Sequence, residues 1–361
     1  LKGLHVYPGM INSATKVGLA EISSIRETMD TSEIGEFNPQ LRALVAVNPE
    51  SEHIPVTRAG GITSVITMPE GPMIGGQAAM IRLDGWTWEE MSVVRSAAMV
   101  LRFPALGGSG GRGGGGGGRG FGGAGGSFAE QQRRHHEQIA KLRDYFEQAR
   151  RYQKARAAAG PGFQRDLKLE AMQPVIEGKL PVLVTAVRER AIREAIDFAE
   201  KERIRIILAQ VRRPGKMLAE IKNKSIPVIV GETLALPMEE DDAYDAPFTL
   251  PFEMHKAGVK FAFGTFDVQF ARNVPFQAAA AVGFGLPQEA ALRALTLGAA
   301  EIWGVADRIG SIDKGKQADL IVTDGDPLEA KTNIKQVFIG GRNVPVDTKH
   351  TDLYQKYLNR P

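Results

Sequence analysis

The sequence predicts an α/β fold, a (β/α)8 TIM-like barrel with a small additional sheet, and three observations carry that expectation. From residue 165 onward, short β-branched runs alternate with amphipathic helical stretches, the pattern of a parallel sheet joined by crossover helices. Units of the same kind before residue 103 bring the strand number close to eight. The last sixty or so residues change to tight Gly-rich turns and short strands. A doubly wound open sheet is the alternative, but no Gly-x-Gly-x-x-Gly opens a helix after a strand.

Taken in order, the chain begins with an extended apolar phrase, Leu4-His5-Val6-Tyr7-Pro8-Gly9. Residues 41–47 and 62–68 read as buried strands, being short, β-branched and bounded by Gly or Pro. Residues 86–102 read as a helix, with Thr87 as N-cap and Glu89 and Glu90 in its first turn. Residues 107–126 hold 15 of the 41 glycines, a composition expected to be disordered. The polar stretch 128–159 places Ile139, Leu142, Phe146 and Ala149 on one narrow stripe of a helix, suited to docking on its own barrel or on a second subunit. Beyond it the spacing predicts helices at 167–177, 189–203, 216–222 and 288–303. Strands are expected at 180–186, 204–209, 226–230 and 259–264, and then at 318–322 and 335–339 in the small sheet. The expected organisation is therefore first barrel units over 1–103, an insertion with its basic helix over 104–165, and remaining barrel units over 166–308. The small-sheet strands follow over 309–345, with a tail over 346–361.

Composition narrows the function. With 361 residues the chain can bury a large core, and without Cys it has no disulfide framework, no thiolate metal site and no thiol nucleophile. Net charge is +3, but residues 107–170 alone carry +6, so the rest sums to −3 and the body of the protein is no basic surface for nucleic acid. Arg112 and Arg119 give the glycine tract an RNA-binding flavour, yet two arginines fit a flexible loop insertion better, and nucleic acid is not an expected partner. No apolar run approaches the ~20 residues of a membrane span. The chain opens on Leu rather than Met, which reads as a processed or incomplete start, and no compartment is assigned.

Three phrases, in order along the chain, carry a resemblance. Val6-Tyr7-Pro8-Gly9-Met10-Ile11 resembles the entry to the first barrel strand of the amidohydrolase superfamily. Arg272-Asn273-Val274-Pro275, Gly285-Leu286-Pro287 and Ala291-Leu292-Arg293-Ala294-Leu295-Thr296 resemble its segment after the last strand. Gly310-Ser311-Ile312-x-x-Gly315-Lys316-x-Ala318-Asp319-Leu320, followed by Gly325-Asp326-Pro327-Leu328, resembles its C-terminal signature, most closely in the imidazolonepropionase-like branch. The resemblance covers nearly all of the chain outside 104–165. It implies a barrel with a small β-sandwich built from both chain ends, here incomplete, and an unpaired edge on the C-terminal strands. It also implies hydrolysis of C–N bonds by a water activated on zinc or another divalent metal, and frequent homo- or hetero-oligomers.

The same resemblance calls for His-x-His after the first strand, single His residues after the fifth and sixth, and an Asp after the eighth. At those places stand Ala14 and Lys16, then Thr185, then Ala209-Gln210, and finally Asp267. The six His lie elsewhere, at 5, 53, 135, 136, 255 and 350. A lone Asp beside a Lys falls short of the three or so protein ligands a catalytic zinc needs, so no metal ligand and no cofactor is assigned. Asp267 is the expected catalytic residue, and Thr15, Lys16, Thr185, Gln210 and Arg272 the expected binding residues around a small-molecule ligand at the barrel mouth. The expected function is a metal-depleted amidohydrolase relative of weak or no activity. The alternative is a binding protein for an amide or peptide-like ligand, or a non-catalytic subunit paired with an active barrel.

Overall fold

The computed structural model describes residues 2–106, 127–158, 160 and 162–360, so the glycine tract read as disordered lies outside the described residues. Among the described residues two sheets organise the fold. The smaller runs β1 (His5–Pro8), β10 (Leu320–Thr323), β11 (Ile334–Ile339) and β12 (Arg342–Val344), each antiparallel to its neighbour. The larger is an eight-stranded, nearly closed barrel.

Its strands, in order around the barrel, are β2 (Met10–Thr15), β3 (Ile62–Thr67), β4 (Ile74–Arg82), β5 (Ser92–Arg102), β6 (Val182–Thr185), β7 (Ile206–Val211), β8 (Val228–Val230) and β9 (Phe261–Phe263). Seven run parallel, whereas β4 is antiparallel to both β3 and β5. The eight-strand expectation therefore holds, with one meander in place of a βα repeat. The barrel closes through hydrogen bonds from Thr265 N and Phe266 N to Ala14 O, at 3.0 and 2.7 Å. Buried Asn12 reinforces this seam by donating to Thr265 Oγ1 (2.9 Å) and Ala271 O (3.0 Å).

The helices are α1 (His53–Ala59), α2 (Trp88–Met91), α3 (Phe128–Ala157), α4 (Leu167–Ile176), α5 (Glu189–Glu202), α6 (Leu218–Asn223), α7 (Ala246–Lys256), α8 (Val274–Gly283), α9 (Gln288–Leu295), α10 (Leu297–Ile302) and α11 (Lys349–Leu358). One apolar layer, containing Ile192, Phe198, Leu208 and Phe263, lies between barrel and helices. A second fills the barrel with Ile11, Ala14, Ile66, Met80, Leu183, Ile207 and Ile229. Trp303 and Ile309 belong to this inner layer, and Arg308 donates to Val93 O (3.2 Å) at the start of β5, so this segment forms a floor at the N-terminal end of the strands.

Four sequence expectations change. Thr87 does cap a helix, accepting from Glu90 N, but α2 stops at Met91 and the remainder of 86–102 is the eleven-residue strand β5. Ala97, Ala98, Met99 and Leu101 have good helix propensity, yet burial in the barrel overrides it. Residues 41–47 contain a short 3-10 turn, Ala43–Ala46, rather than a strand. The single helix at 288–303 is two helices, broken at Thr296 with φ −129° and ψ −105°. The opening phrase is not only an entry to the barrel, since β1 pairs with β10 and so covers the edge expected to be bare. A single sheet thus stands where a sandwich was expected. Gly9 makes the step from sheet to barrel possible, because a Cβ there would stand 2.2 Å from Thr63 Oγ1.

Helix α3 docks on its own barrel. Leu142, Phe146 and Ala149 are buried, Phe146 meets Phe198 of α5 edge to face at 5.4 Å, and Arg150 Nη1 reaches Glu202 Oε2 at 2.6 Å.

Candidate functional site

The seven parallel strands point their C-terminal ends to one mouth, where side chains of successive loops converge. Lys16 follows β2 and forms an ion pair from Nζ to Glu70 Oε1 at 2.6 Å, with the lysine side chain only 20% exposed. Its backbone N–H donates to Asp267 O (3.5 Å), which ties the loop after the first barrel strand to the loop after the last. The Asp267 carboxylate accepts Phe270 N–H at Oδ1 (3.0 Å), so one of its oxygens holds its own turn.

Glu232, two residues beyond β8 and exposed, lies close enough to Asp267 and Lys16 to feel their charges. Desolvation holds its carboxyl above the usual range, and Asp267 adds to the rise; Arg212 and Lys16 pull the other way. This carboxyl and that of Asp267 are therefore linked through their charges. Two non-glycine residues at the rim adopt left-handed backbone, Gln210 at φ 56° and Phe266 at φ 54°. Such conformations cost about 1–3 kcal/mol each, and Arg203 and Ser225 adopt them at the opposite end of the strands as well.

The other expected residues divide. Thr185 and Gln210, both half-buried, end β6 and lie within β7, on the same rim as Lys16 and Asp267. Thr15 is buried in the wall, donating from Oγ1 to Ile66 O (3.0 Å) and accepting Val17 N–H (3.3 Å). Arg272 is exposed, and its Cβ lies 3.7 Å from where a Cβ on Gly60 would sit, near the start of β3 and outside the mouth cluster. Glu70, Arg212 and Glu232 were missed. Their signal was position alone, since Arg212 directly follows β7 and Val230-Gly231-Glu232 leaves the strand expected at 226–230.

The residues at the positions where the resemblance calls for imidazoles offer no lone-pair nitrogen to a divalent metal. Ala14 is fully buried in the barrel interior, where a Cβ on Gly264 would stand 2.9 Å from its own, so the space is closed around a methyl group. Lys16 offers only N–H donors and is already paired. Thr185 and Gln210 bring neutral oxygens. Among the described residues no three His, Asp or Glu side chains are arranged around a common point for a cation.

Residues 250–344 match the model of the amidohydrolase family. An amidohydrolase, tasK, of Hapsidospora irregularis is 24% identical over 375 residues, covering 94% of this chain and 36% of that protein. The chain thus spans about a third of the length of this curated relative. An amidohydrolase structure from Thermotoga maritima MSB8 superposes with a TM-score of 0.81 at 27% identity, over 95% of this chain and 88% of that one. A prolidase solved with N-methylphosphonate-L-proline shares the fold at TM-score 0.52 and 17% identity, over 95% of this chain and 87% of that one. No described helix is long and apolar enough to cross a membrane.

Proposed function

We propose that this chain, which belongs to the amidohydrolase superfamily, is a metal-depleted member whose barrel mouth binds a small amide or peptide-like ligand with little or no turnover. One observation carries the reading: the two positions at which the family resemblance calls for imidazoles are filled by buried Ala14 and by Lys16 paired to Glu70. An ammonium there supplies fixed positive charge without lone pairs for a cation. Elemental analysis of the purified full chain tests it. Substoichiometric zinc, together with thermal stabilisation by small amides or dipeptides, is expected. About one or two bound equivalents per chain, the content of active relatives, would overturn it.

A second reading is favoured by Glu232. Two carboxyls at one mouth can divide acid and base roles, Glu232, whose pKa desolvation raises, as donor to a leaving nitrogen and Asp267 as the group that orients water. Amide hydrolysis that persists in chelator and is lost in both Asp267→Asn and Glu232→Gln would establish this chemistry. Absence of hydrolysis in the native chain would leave ligand binding as the role of the mouth.

A further inference from the structure

The loop 231–245, between β8 and α7, carries Glu232 into the mouth and is strapped down by arginines of two other loops. Arg188, at the start of α5, pairs with Glu239. Arg213, beyond β7, reaches Asp242 Oδ1 at 2.9 Å and Glu239 Oε1 at 3.9 Å. Arg212 Nη2 donates to Leu236 O at 2.6 Å. Asp242 in turn accepts the Met238 and Glu239 N–H groups (3.2 and 3.1 Å), so its carboxylate is the node on which this part of the loop is wound.

Two spaces near the strap share walls at Arg212, Arg213, Ala246 and Leu250. One is a groove of about 430 Å³ that holds Arg188, Arg190, Arg212 and Arg213 together with Glu189 and Glu253. The other is a cavity of about 20 Å³, room for about one water, which reaches Gly231 and Glu232 and is bounded by Pro237, Met238 and Asp242 of the strap. The groove is of the size that takes a small molecule. Two of its guanidiniums, those of Arg188 and Arg213, are occupied by carboxylates of the strap, with Arg188, Arg213 and Glu239 at least one-third exposed and Asp242 10% exposed; Arg190 pairs with Glu194 instead. The exposed pairs to Glu239 contribute little and exchange readily for another oxyanion of better geometry.

We propose that the groove is a binding site for an anionic small molecule, a carboxylate or phosphate, that competes with Glu239 and Asp242 for Arg188 and Arg213. Its binding releases the strap and joins the groove to the mouth. The anion is thus an opener, and the strap's own carboxylates occupy its place when it is absent. Nothing in this depends on whether the mouth holds a metal or turns over a substrate.

Hydrogen exchange of the full chain tests the idea, with inorganic phosphate, acetate or sodium chloride compared at equal ionic strength. Phosphate or acetate is expected to quicken exchange across 231–245 by about fivefold or more over chloride, the range that losing a few weak ion pairs allows. Response to phosphate alone points to a phosphorylated ligand, and response to acetate alone to a carboxylic acid. Glu239→Gln with Asp242→Asn should exchange rapidly without any anion, and Arg188→Gln with Arg213→Gln should lose the response. Equal exchange in all three salts, or protection unchanged in the Glu239/Asp242 variant, would overturn the proposal. The mouth's metal content and activity are separate readouts, so failure here leaves the functional reading standing.

Discussion

The two ends of the barrel are built for different purposes. At the floor, Trp303, Ala299, Ala300, Val305 and Ile309 fill the N-terminal opening with apolar contact, and buried Asp319 receives Gly340 N–H at 2.7 Å. At the mouth, an ion pair and the charge-linked Glu232 and Asp267 occupy the corresponding space. Both ends contain a carboxyl raised mainly by desolvation. Asp319 has a backbone donor and the Arg82 cation to offset part of the rise, whereas Glu232 has cations on one side and another carboxylate that adds to it. The contrast teaches that stability was built at the floor, while the mouth tolerates unfavourable charge, as sites under functional selection do.

Substitutions should separate the two ends by size and then by sign. Trp303→Ala, at a side chain only 6% exposed, should lower unfolding free energy by about 3–5 kcal/mol in denaturant titration. A loss below about 1 kcal/mol would mean that the floor is no core at all. Asn12→Ala removes the side-chain bonds that reinforce the seam between β2 and the loop after β9, and takes a partner from Thr265 and from Ala271. A cost of about 1–3 kcal/mol is expected by the same measurement. Lys16→Met, at the mouth, should cost no more than about 1 kcal/mol, because its partner Glu70 is 42% exposed.

The smallest effect should have the opposite sign. Glu232 holds its proton more tightly folded than unfolded, so its contribution is fully present below the unfolded carboxyl range and is lost as pH rises through the raised folded value. At neutral pH its ionisation therefore opposes folding. Glu232→Gln should raise Tm slightly at pH 7 and flatten the stability profile across that window. A fall in Tm at pH 7 would show that the charge stabilises the loop instead.

Much of the barrel was legible because its βα repeats from residue 165 carry strong local signals. The strands expected at 180–186, 204–209, 226–230 and 259–264 enclose β6, β7, β8 and β9 except for the last two residues of β7. The meander was not legible. Ile74-Gly75-Gly76-Gln77-Ala78-Ala79 has little β-branching, and a real cap at Thr87 points a local reading toward a longer helix than forms. Lys16 and Asp267 were found through the family resemblance, whose ligand positions fall just past β2 and β9. Glu70 follows β3 by three residues, and nothing in Met68-Pro69-Glu70 says that its loop folds back to Lys16. Pairings of that kind are set by the tertiary path of loops, which residue pattern does not encode.

The antiparallel strand β4 has a consequence for how the chain assembles. Parallel neighbours must wait for a crossover to close, whereas β3, β4 and β5 join through short local connections, as in Thr67 opposite Ala79 and Gln77 opposite Met99. The meander has the lowest loop-closure entropy in the barrel, which makes it the natural folding nucleus on which the later βα units are laid. Conservative truncations at Met80 should then slow refolding, while equally destabilising ones at Ile229 of β8 should mainly quicken unfolding.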